Sequence, residues 1–339
     1  MKRLTLEEIG KLAGVSRSTV SRVVNDHPYV SPPVRERVSK VIAETGYSPD
    51  PAARSLARQR SGIVGLVFSL AIESLFEDPF FPRLIQGVSQ ACTSHGCILS
   101  LILLYSREDA GQLHPSISQN QPFDGLIVAA TRTGDPLIPQ LLASGVPFVM
   151  HGRHDDPRVS FVDVDNVAGA YTAAGHLVRL GRGRIATITG PMDSPAALDR
   201  RKGYLEALRD RNRSIDEALI DGGDFSEVSG YEAMQRLLPH EPDAVFVASD
   251  TMALGALRAL REAGIRVPRD IAVVGFDDMP YAATAAPPLT TVRQPIRRAG
   301  NLAFQTLCEI IDSGLEPPRR IVMPTELVVR DSCGMRQAG

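Results

Sequence analysis

The sequence predicts an α/β protein: an all-helical head at the N-terminus, then two lobes that are each built on a parallel sheet. Three observations support this fold class. The first 60 residues contain short segments with apolar residues at helical spacing. From Gly62 onward, short apolar segments alternate with amphipathic ones. The length of 339 residues is enough for about two globular domains.

The charge of the chain is divided unevenly between these parts. The first 60 residues carry 11 basic and 6 acidic side chains, a net charge of +5, whereas the remainder carries 26 and 33, a net of −7. This division is typical of a nucleic-acid-binding module attached to an acidic body. The sequence has no apolar run as long as a membrane span, no signal-peptide pattern, and only four cysteines. We therefore expect a cytoplasmic protein without a membrane partner.

The head is predicted to form three helices. They cover residues 6–13, 17–24 and 31–45. Thr5 and Glu8 form a capping-box pattern at the first helix. Gly14 supplies the tight turn that follows, and Ser16 caps the second helix. Two short helices joined by a tight turn, with a third behind them, make a helix-turn-helix.

The outer face of the second helix carries groups that suit DNA. Arg17 and Arg22 can pair with guanine edges or phosphates, and the small hydroxyls between them suit backbone oxygens. A solvated polar face on a three-helix bundle is the alternative.

Residues 52–60 are predicted to form a further short helix, in which Leu56 is a lone leucine among arginines. Such a leucine suits insertion into the minor groove, or, alternatively, docking on the body.

The body is predicted to contain parallel sheets covered by helices. The expected strands are 63–68, 97–104, 123–129, 146–150, 184–189, 244–248 and 271–276, and the expected helices are 81–92, 136–144, 168–180, 197–211, 229–238 and 252–263. These units are too many for one sheet, so we expect two Rossmann-like lobes. Ligands of such sheets bind at the carboxyl ends of the strands, and two facing lobes form a cleft there.

The residues that follow the predicted strands suit a polyhydroxylated ligand. Carboxylates, arginines and small hydroxyls would pair with its hydroxyl groups, and aromatic faces would cover its apolar side. Taken singly, each of these residues could equally be a solvated loop residue.

The sequence contains no nucleophile elbow, P-loop or dinucleotide-binding motif, so we expect that the protein is not an enzyme. The spacing of Cys92, His95 and Cys97 is too weak a metal signal, and no cofactor or metal is expected.

The head resembles the lactose-repressor/galactose-repressor (LacI/GalR) family of bacterial transcription regulators. The motifs that carry the resemblance are Thr5-Leu6, Ala13-Gly-Val-Ser16, Thr19-Val-Ser-Arg-Val-Val-Asn25, Gly46-Tyr47 and Ala53-Arg54-Ser-Leu56-Ala. The resemblance implies that helix 17–24 lies in the major groove and that Leu56 is the wedge of a hinge helix. The DNA contacts that it implies are Thr5, Leu6, Ser16, Arg17, Ser18, Thr19, Ser21, Arg22, Asn25, Tyr29, Ser31, Arg54 and Leu56.

The body resembles the periplasmic-binding-protein type I fold that this family uses as an effector domain. Phe123-Asp-Gly-Leu-Ile, Val274-Gly-Phe-Asp-Asp278 and Pro288-Leu-Thr-Thr-Val-Arg-Gln-Pro295 carry this resemblance. It implies that Arg200 and Asp277 bind the effector, beside an aromatic platform at Phe225. Ser249 stands where some sugar repressors have Asn, and His151-Gly-Arg153 departs from the family pattern. The expected effector contacts are Ser69, Phe80, Phe81, His151, Arg153, Arg200, Phe225, Ser249, Asp250 and Asp277.

These expectations combine into one functional prediction: a transcriptional repressor that binds pseudo-palindromic operator DNA as a homodimer under the control of a sugar effector. The predicted domains are 1–48, 49–60 and 61–339, the last divided into lobes 61–162 with 292–324 and 163–290 with 325–339. A purine or other metabolite acting as co-repressor is the alternative effector. A sugar-binding transport protein is a more remote alternative, because it requires a signal peptide and no basic head.

Overall fold

The computed structural model describes residues 4–24, 27–47, 60–69, 75, 78–104, 123–130, 132–314 and 316–334. The chain divides into two compact units, residues 1–62 and 63–339. The helices are α1 (Leu6–Ala13), α2 (Arg17–Val24), α3 (Pro32–Thr45), α4 (Phe80–Ser94), α5 (Leu137–Ser144), α6 (Asn166–Arg179), α7 (Pro195–Arg209), α8 (Glu227–Leu237), α9 (Asp250–Glu262) and α10 (Ile296–Ser313). The strands are β1 (Ile63–Phe68), β2 (Ile98–Leu103), β3 (Gly125–Ala129), β4 (Phe148–His151), β5 (Phe161–Val164), β6 (Ile185–Thr189), β7 (Ile220–Gly222), β8 (Ala244–Val247), β9 (Ala272–Asp277), β10 (Thr290–Arg293), β11 (Arg320–Met323) and β12 (Glu326–Val328).

The first unit contains the three predicted helices around a small apolar core. The core consists of Ile9, Ala13, Val20, Val23 and Val38, with partly buried apolar residues packed against it. The predicted capping box of α1 is present: the Glu8 amide donates to Thr5 Oγ1 at 3.3 Å, and the Thr5 amide donates to Glu8 Oε2 at 2.7 Å. The first turn of α1 is therefore satisfied by its own sequence.

The turn between α1 and α2 brings backbone close to backbone. A methyl group at Gly10 would lie 2.8 Å from the carbonyl oxygen of Val15, so a larger residue would push the turn away from α1. Gly14 adopts a left-handed φ of 65°, which glycine accepts without strain. Ser16 Oγ accepts the Thr19 amide at 3.1 Å at the start of α2. Together these features fix the angle between the two helices.

The second unit contains two six-stranded sheets. In the first sheet the strand order is β11-β5-β4-β3-β1-β2, and every pair is parallel. In the second sheet the order is β12-β10-β9-β8-β6-β7, and only β12 runs antiparallel to its neighbour. This arrangement confirms the predicted fold class. The predicted strands and helices of the body match the observed ones to within two residues at each end.

The chain passes between the two sheets more than once. Strand β5 ends at Val164 in the first sheet, and α6 packs on the second. Strand β10 belongs to the second sheet, α10 packs on the first, and β11 and β12 again lie in different sheets. The chain therefore returns to the first sheet at residues 294–295. Helix α10 was not predicted, although its buried residues follow helical spacing.

Candidate functional site

A cavity that is partly open to solvent lies between the two sheets of the second unit. Strands β4 and β9 end at its wall, with His151 and Asp277, and α6 and α9 begin near it. The residues that line it are Asp78, Phe80, Phe81, Ala130, His151, Gly152, Arg153, Asp163, Val164, Asn166, Ser194, Pro195, Ala196, Arg200, Phe225, Ser249, Asp277 and Gln294. Both lobes therefore contribute to one site, at the strand ends where such sheets bind ligands.

Eight of the ten predicted effector contacts lie in this wall, and two do not. Ser69 follows β1 but is not part of the lining. Asp250 is fully buried, and its carboxylate accepts the Thr291 hydroxyl at 2.6 Å and the Met279 amide at 2.8 Å. Its oxygens join α9 to the segment around β9 and β10, and a contact between Asp250 and the effector stays a prediction.

The guanidinium of Arg200 is buried in the wall of the cavity. It donates from Nε to Asn166 Oδ1 at 2.9 Å and from Nη1 to the carbonyl oxygen of Ala248 at 2.6 Å. Nη1 also lies 3.5 Å from Asp277 Oδ1, and the guanidinium covers the Phe276 ring at 3.8 Å. These contacts fix the arginine, so a ligand would meet a charge that is already oriented.

Among the described residues, three carboxyl groups of the cavity wall interact with the charge of Arg200: Asp78, Asp163 and Asp277. Burial raises the pKa of Asp277 to about 7 and that of Asp78 to about 6, and it also raises the pKa of Asp163. The positive charge of Arg200 acts in the opposite direction on all three. Burial lowers the pKa of Arg200 itself. Carboxyl groups with pKa values near neutral pH, here those of Asp78 and Asp277, can donate a hydrogen bond when protonated and accept one when ionised, as the hydroxyl groups of a sugar require.

Aromatic rings form the apolar part of the wall. The rings of Phe80 and Phe81 meet edge to face at 5.3 Å, and Phe80 meets His151 at 5.6 Å. Phe225 packs on Gly190, where any side chain would collide with its ring. Burial lowers the pKa of His151 to about 4, so its imidazole is neutral at physiological pH. Flat apolar faces beside a fixed polar cluster suit a ligand with one apolar and one hydroxylated side.

Several lining residues have strained backbones. Ala130, Phe225 and Asp277 adopt positive φ angles of 58°, 75° and 118°, respectively, although none is glycine. Such conformations cost energy and persist where the surrounding structure holds them, which is most often at functional sites. Both Phe225 and Asp277 line the same cavity with these strained backbones.

The structure adds polar residues that were not among the predicted contacts: Asp78, Asp163, Asn166, Ser194 and Gln294. Gln294 Nε2 donates to Asp277 Oδ1 at 2.5 Å, and Asn166 Nδ2 donates to Asp163 Oδ1 at 3.3 Å. Gln294 falls inside the Pro288–Pro295 motif that carries the family resemblance, so a signal was present for it. Asp78 follows a weakly patterned segment, and its role emerges only from the fold.

The outer face of α2 matches the predicted DNA-binding surface in its exposure. Arg17, Ser18 and Arg22 are exposed, whereas Val20 and Val23 are buried. Tyr29 is 85% exposed, and Ser31 is also exposed at the start of α3. Thr19 and Ser21 are half-buried along the same helix. These groups leave a basic, hydroxyl-rich surface on one side of the head.

Some predicted DNA contacts have local roles in the structure. Thr5 Oγ1 accepts the Glu8 amide and donates to Glu8 Oε2 at 3.0 Å, and Leu6 packs against the head core. Ser16 Oγ lies 2.8 Å from both Ser18 Oγ and Thr19 Oγ1. Three further predicted contacts, Asn25, Arg54 and Leu56, lie outside the described residues, as does most of the predicted hinge helix.

Two further observations concern the described residues alone. None of their helices combines the length and apolar character needed to cross a membrane. No group of three histidine, cysteine or acidic side chains among them is arranged to hold a metal ion.

Comparisons with known proteins agree with this architecture. Residues 5–50 match the model for bacterial regulatory proteins of the lacI family, and residues 174–333 match a periplasmic binding protein-like domain. The chain is 42% identical to the HTH-type transcriptional regulator CelR of Thermobifida fusca, with 98% of each sequence covered. It is 32% identical to the ribose operon repressor of Escherichia coli K12, with 97% of this chain and 99% of the repressor covered.

Solved structures of transcriptional regulators are also similar to this chain. A transcriptional regulator CelR–cellobiose complex is 40% identical, with a TM-score of 0.77 over 97% of this chain and all of the other. The lac repressor dimer bound to operator and the anti-inducer ONPF is 29% identical, with a TM-score of 0.85 over 98% of this chain and 99% of the other. The whole described fold, head and body, is thus similar to that of regulators of known structure. This chain belongs to the lacI family of bacterial regulatory proteins.

Proposed function

We propose that this protein is a transcriptional repressor that binds operator DNA through its head and releases or retains it according to a sugar bound in the cavity. One observation carries the proposal: a head that exposes Arg17 and Arg22 shares a chain with a cavity built on a buried arginine–carboxylate cluster. No catalytic step is part of this proposal, and the relatives compared with this chain are regulators.

The chemistry of the cavity supports a sugar as effector. Arg200, Asp277, Asn166 and Gln294 offer fixed donors and acceptors for vicinal hydroxyl groups. Phe80, Phe81 and Phe225 offer flat apolar surface for the faces of sugar rings. Because the structure of CelR that resembles this chain is a cellobiose complex, cellobiose is the first sugar to test.

The proposal includes an assembly and a location. Two half-sites of a pseudo-palindromic operator require two recognition helices related by a two-fold axis, so we propose a homodimer. We also propose the division into a head (1–48), a hinge (49–60) and an effector domain (61–339). A protein that acts on chromosomal operators works in the cytoplasm and, when bound, on the nucleoid.

The proposed mechanism couples the cavity to the head through lobe closure. The effector contacts both lobes, so it binds one relative arrangement of the lobes better than the other. It can shift operator affinity only by this differential binding. In the dimer, the preferred arrangement changes the spacing of the two hinges and hence the fit of two heads to one operator.

The DNA part of the proposal is tested with the full chain and DNA from upstream of its own gene. We expect specific binding with a steep decrease in affinity as salt rises, because phosphate contacts release counterions. Arg22→Ala should weaken this binding, whereas Arg209→Ala, which removes an exposed arginine of the body, should not. Equal loss in both variants, or binding without salt dependence, would refute the assigned DNA surface.

The effector part is tested by calorimetry with cellobiose, other sugars and purine bases. Asp277→Ala and Phe225→Ala should each weaken sugar binding by about ten-fold or more, because a hydrogen-bond partner or a ring surface is lost. Glu232→Ala, an exposed change on α8, should leave it unchanged. Tight binding that is indifferent to Asp277→Ala would contradict the site, and binding of a purine alone would contradict the sugar.

A further inference from the structure

In the part of the chain that the structure describes, two arginine–aspartate pairs bridge the two lobes. Arg132 follows β3 of the first sheet, and its Nη1 lies 2.5 Å and 2.6 Å from the carboxylate oxygens of Asp193, which follows β6 of the second. Arg153 follows β4 of the first sheet, and its Nε and Nη2 contact both oxygens of Asp199 on α7. In each pair, the arginine belongs to the first lobe and the aspartate to the second.

The outer pair, Arg132–Asp193, is separate from the ligand-binding surface. Neither residue lines the cavity, although Ala130 and Ser194, close to them in sequence, do. A backbone bond accompanies the pair, because the Thr133 amide donates to the carbonyl oxygen of Asp193 at 2.7 Å. A tight turn, closed by the Ser194 amide on the carbonyl oxygen of Pro191 at 2.9 Å, presents Asp193 toward the first lobe.

We infer that Arg132 and Asp193 form a latch that stabilises the closed arrangement of the two lobes and thereby sets effector affinity without touching the effector. They are positioning residues, because they act through the relative placement of the lobes. The expected effect of the latch on effector binding rests on the proposed function. The latch itself is a property of the unliganded chain.

The physical argument is a population shift. The pair joins residues on different lobes, so its contacts are lost when the lobes separate. Any attraction between the partners therefore favours closure, and closure is the state in which both cavity walls meet a ligand. A ligand that binds only the closed state gains apparent affinity in proportion to the population of that state.

The size of the effect follows from exposure. The side chains of Arg132 and Asp193 are 46% and 38% exposed, so water and salt screen their attraction. Exposed pairs of this kind change an equilibrium by about 1.5- to 5-fold. The inner pair is more enclosed, with exposures of 32% and 15%, but Arg153 lines the cavity, so its variants would also change a ligand contact. The outer pair is thus the cleaner test.

The experiment compares the wild type with three variants of the full chain. The single variants are Asp193→Asn and Arg132→Asp, and the double variant exchanges the two residues (Arg132→Asp and Asp193→Arg). Cellobiose affinity is measured at low and high salt. Asp270→Asn is the matched control, because it removes an aspartate from the Arg266 pair, which is similarly exposed but lies within one lobe. Hydrogen exchange at the Thr133 amide reports lobe separation without any ligand, since that amide bonds across the lobes.

We expect Asp193→Asn to weaken cellobiose binding by about 2- to 5-fold at low salt, to reduce its salt dependence and to speed exchange at Thr133. The exchanged pair should bind cellobiose more tightly than Arg132→Asp does, and its Thr133 amide should exchange more slowly. Asp270→Asn should match the wild type in both measurements. Unchanged affinity and exchange in Asp193→Asn, or no recovery in the exchanged pair, would overturn the latch. If the wild type binds no sugar, the proposed effector fails, and the Thr133 exchange still decides the latch.

Discussion

The Asp78 carboxyl gives a prediction about how the stability of the body depends on pH. It lies in the cavity wall, and its Oδ1 accepts the Phe80 amide at 3.0 Å. Burial raises its pKa from 3.8 to about 6, and the Phe80 amide and Arg200 only partly oppose this effect. The folded state therefore binds this proton more tightly than the unfolded state does.

The sign and size of the effect follow from linkage. Asp78 contributes stability that is fully present below pH 3.8 and is lost as the pH rises through about 6. At about 1.36 kcal/mol per pKa unit, the loss is at most about 3 kcal/mol. Because the cavity admits some water, we expect about 1–3 kcal/mol. Asp78→Asn keeps the oxygen that accepts the Phe80 amide but has no proton to lose.

The assay is urea unfolding of the full chain, followed by circular dichroism at pH 4.5, 6 and 7.5. Relative to the wild type, Asp78→Asn should gain about 1–2 kcal/mol of unfolding free energy between pH 4.5 and 7.5, because about a third of the total effect is already lost below pH 4.5. Asp270→Asn is the control, because Arg266 holds the pKa of Asp270 near 2, below the range tested. Parallel pH profiles for Asp78→Asn and the wild type would refute the assignment of a raised pKa.

Three further predictions concern the head and the packing of the body. Thr5→Ala should lower the free energy of unfolding of the head by about 1 kcal/mol, measured calorimetrically, because the capping box is lost. Gly203→Ala should prevent stable folding, since its methyl group would collide with the carbonyl oxygen of Val167, whereas Gly183→Ala should give normal soluble yield. Arg17→Ala should relax base preference at one position of each half-site by about 1–3 kcal/mol in binding selection.

Much of the fold could be predicted because its signals are local. The capping box at Thr5, the glycine turn after Ala13 and the valines of α2 each specify structure within a few residues. Seven strands of the body are continuous apolar runs, so their positions were also predicted closely. Strands β5, β7, β10, β11 and β12 were not predicted, because short strands with polar residues such as Asp163, Thr290 and Glu326 lack that pattern.

The candidate site was predicted in part. Arg200, Phe225 and Asp277 came from the family resemblance, and the structure brings all three to one cavity. Asp250 was assigned to the ligand because it follows a strand, yet its carboxylate is occupied by Thr291 and Met279. Sequence position places a residue near a strand end, but the direction of its side chain depends on contacts with distant segments.

The sequence by itself determined the helix-turn-helix head and the two-lobed α/β body, since helical spacing, turn residues and apolar strands are properties of neighbouring residues. The class of regulator came from the resemblance of its motifs to the LacI/GalR family. Only the tertiary structure decided which carboxyl groups share Arg200, and which pairs join the lobes. Asp78 and Asp277 are 199 positions apart, and Arg132 and Asp193 are 61 apart. Burial and Coulomb interactions act through space, so the raised pKa values and the bridging pairs arise only after folding brings these groups together.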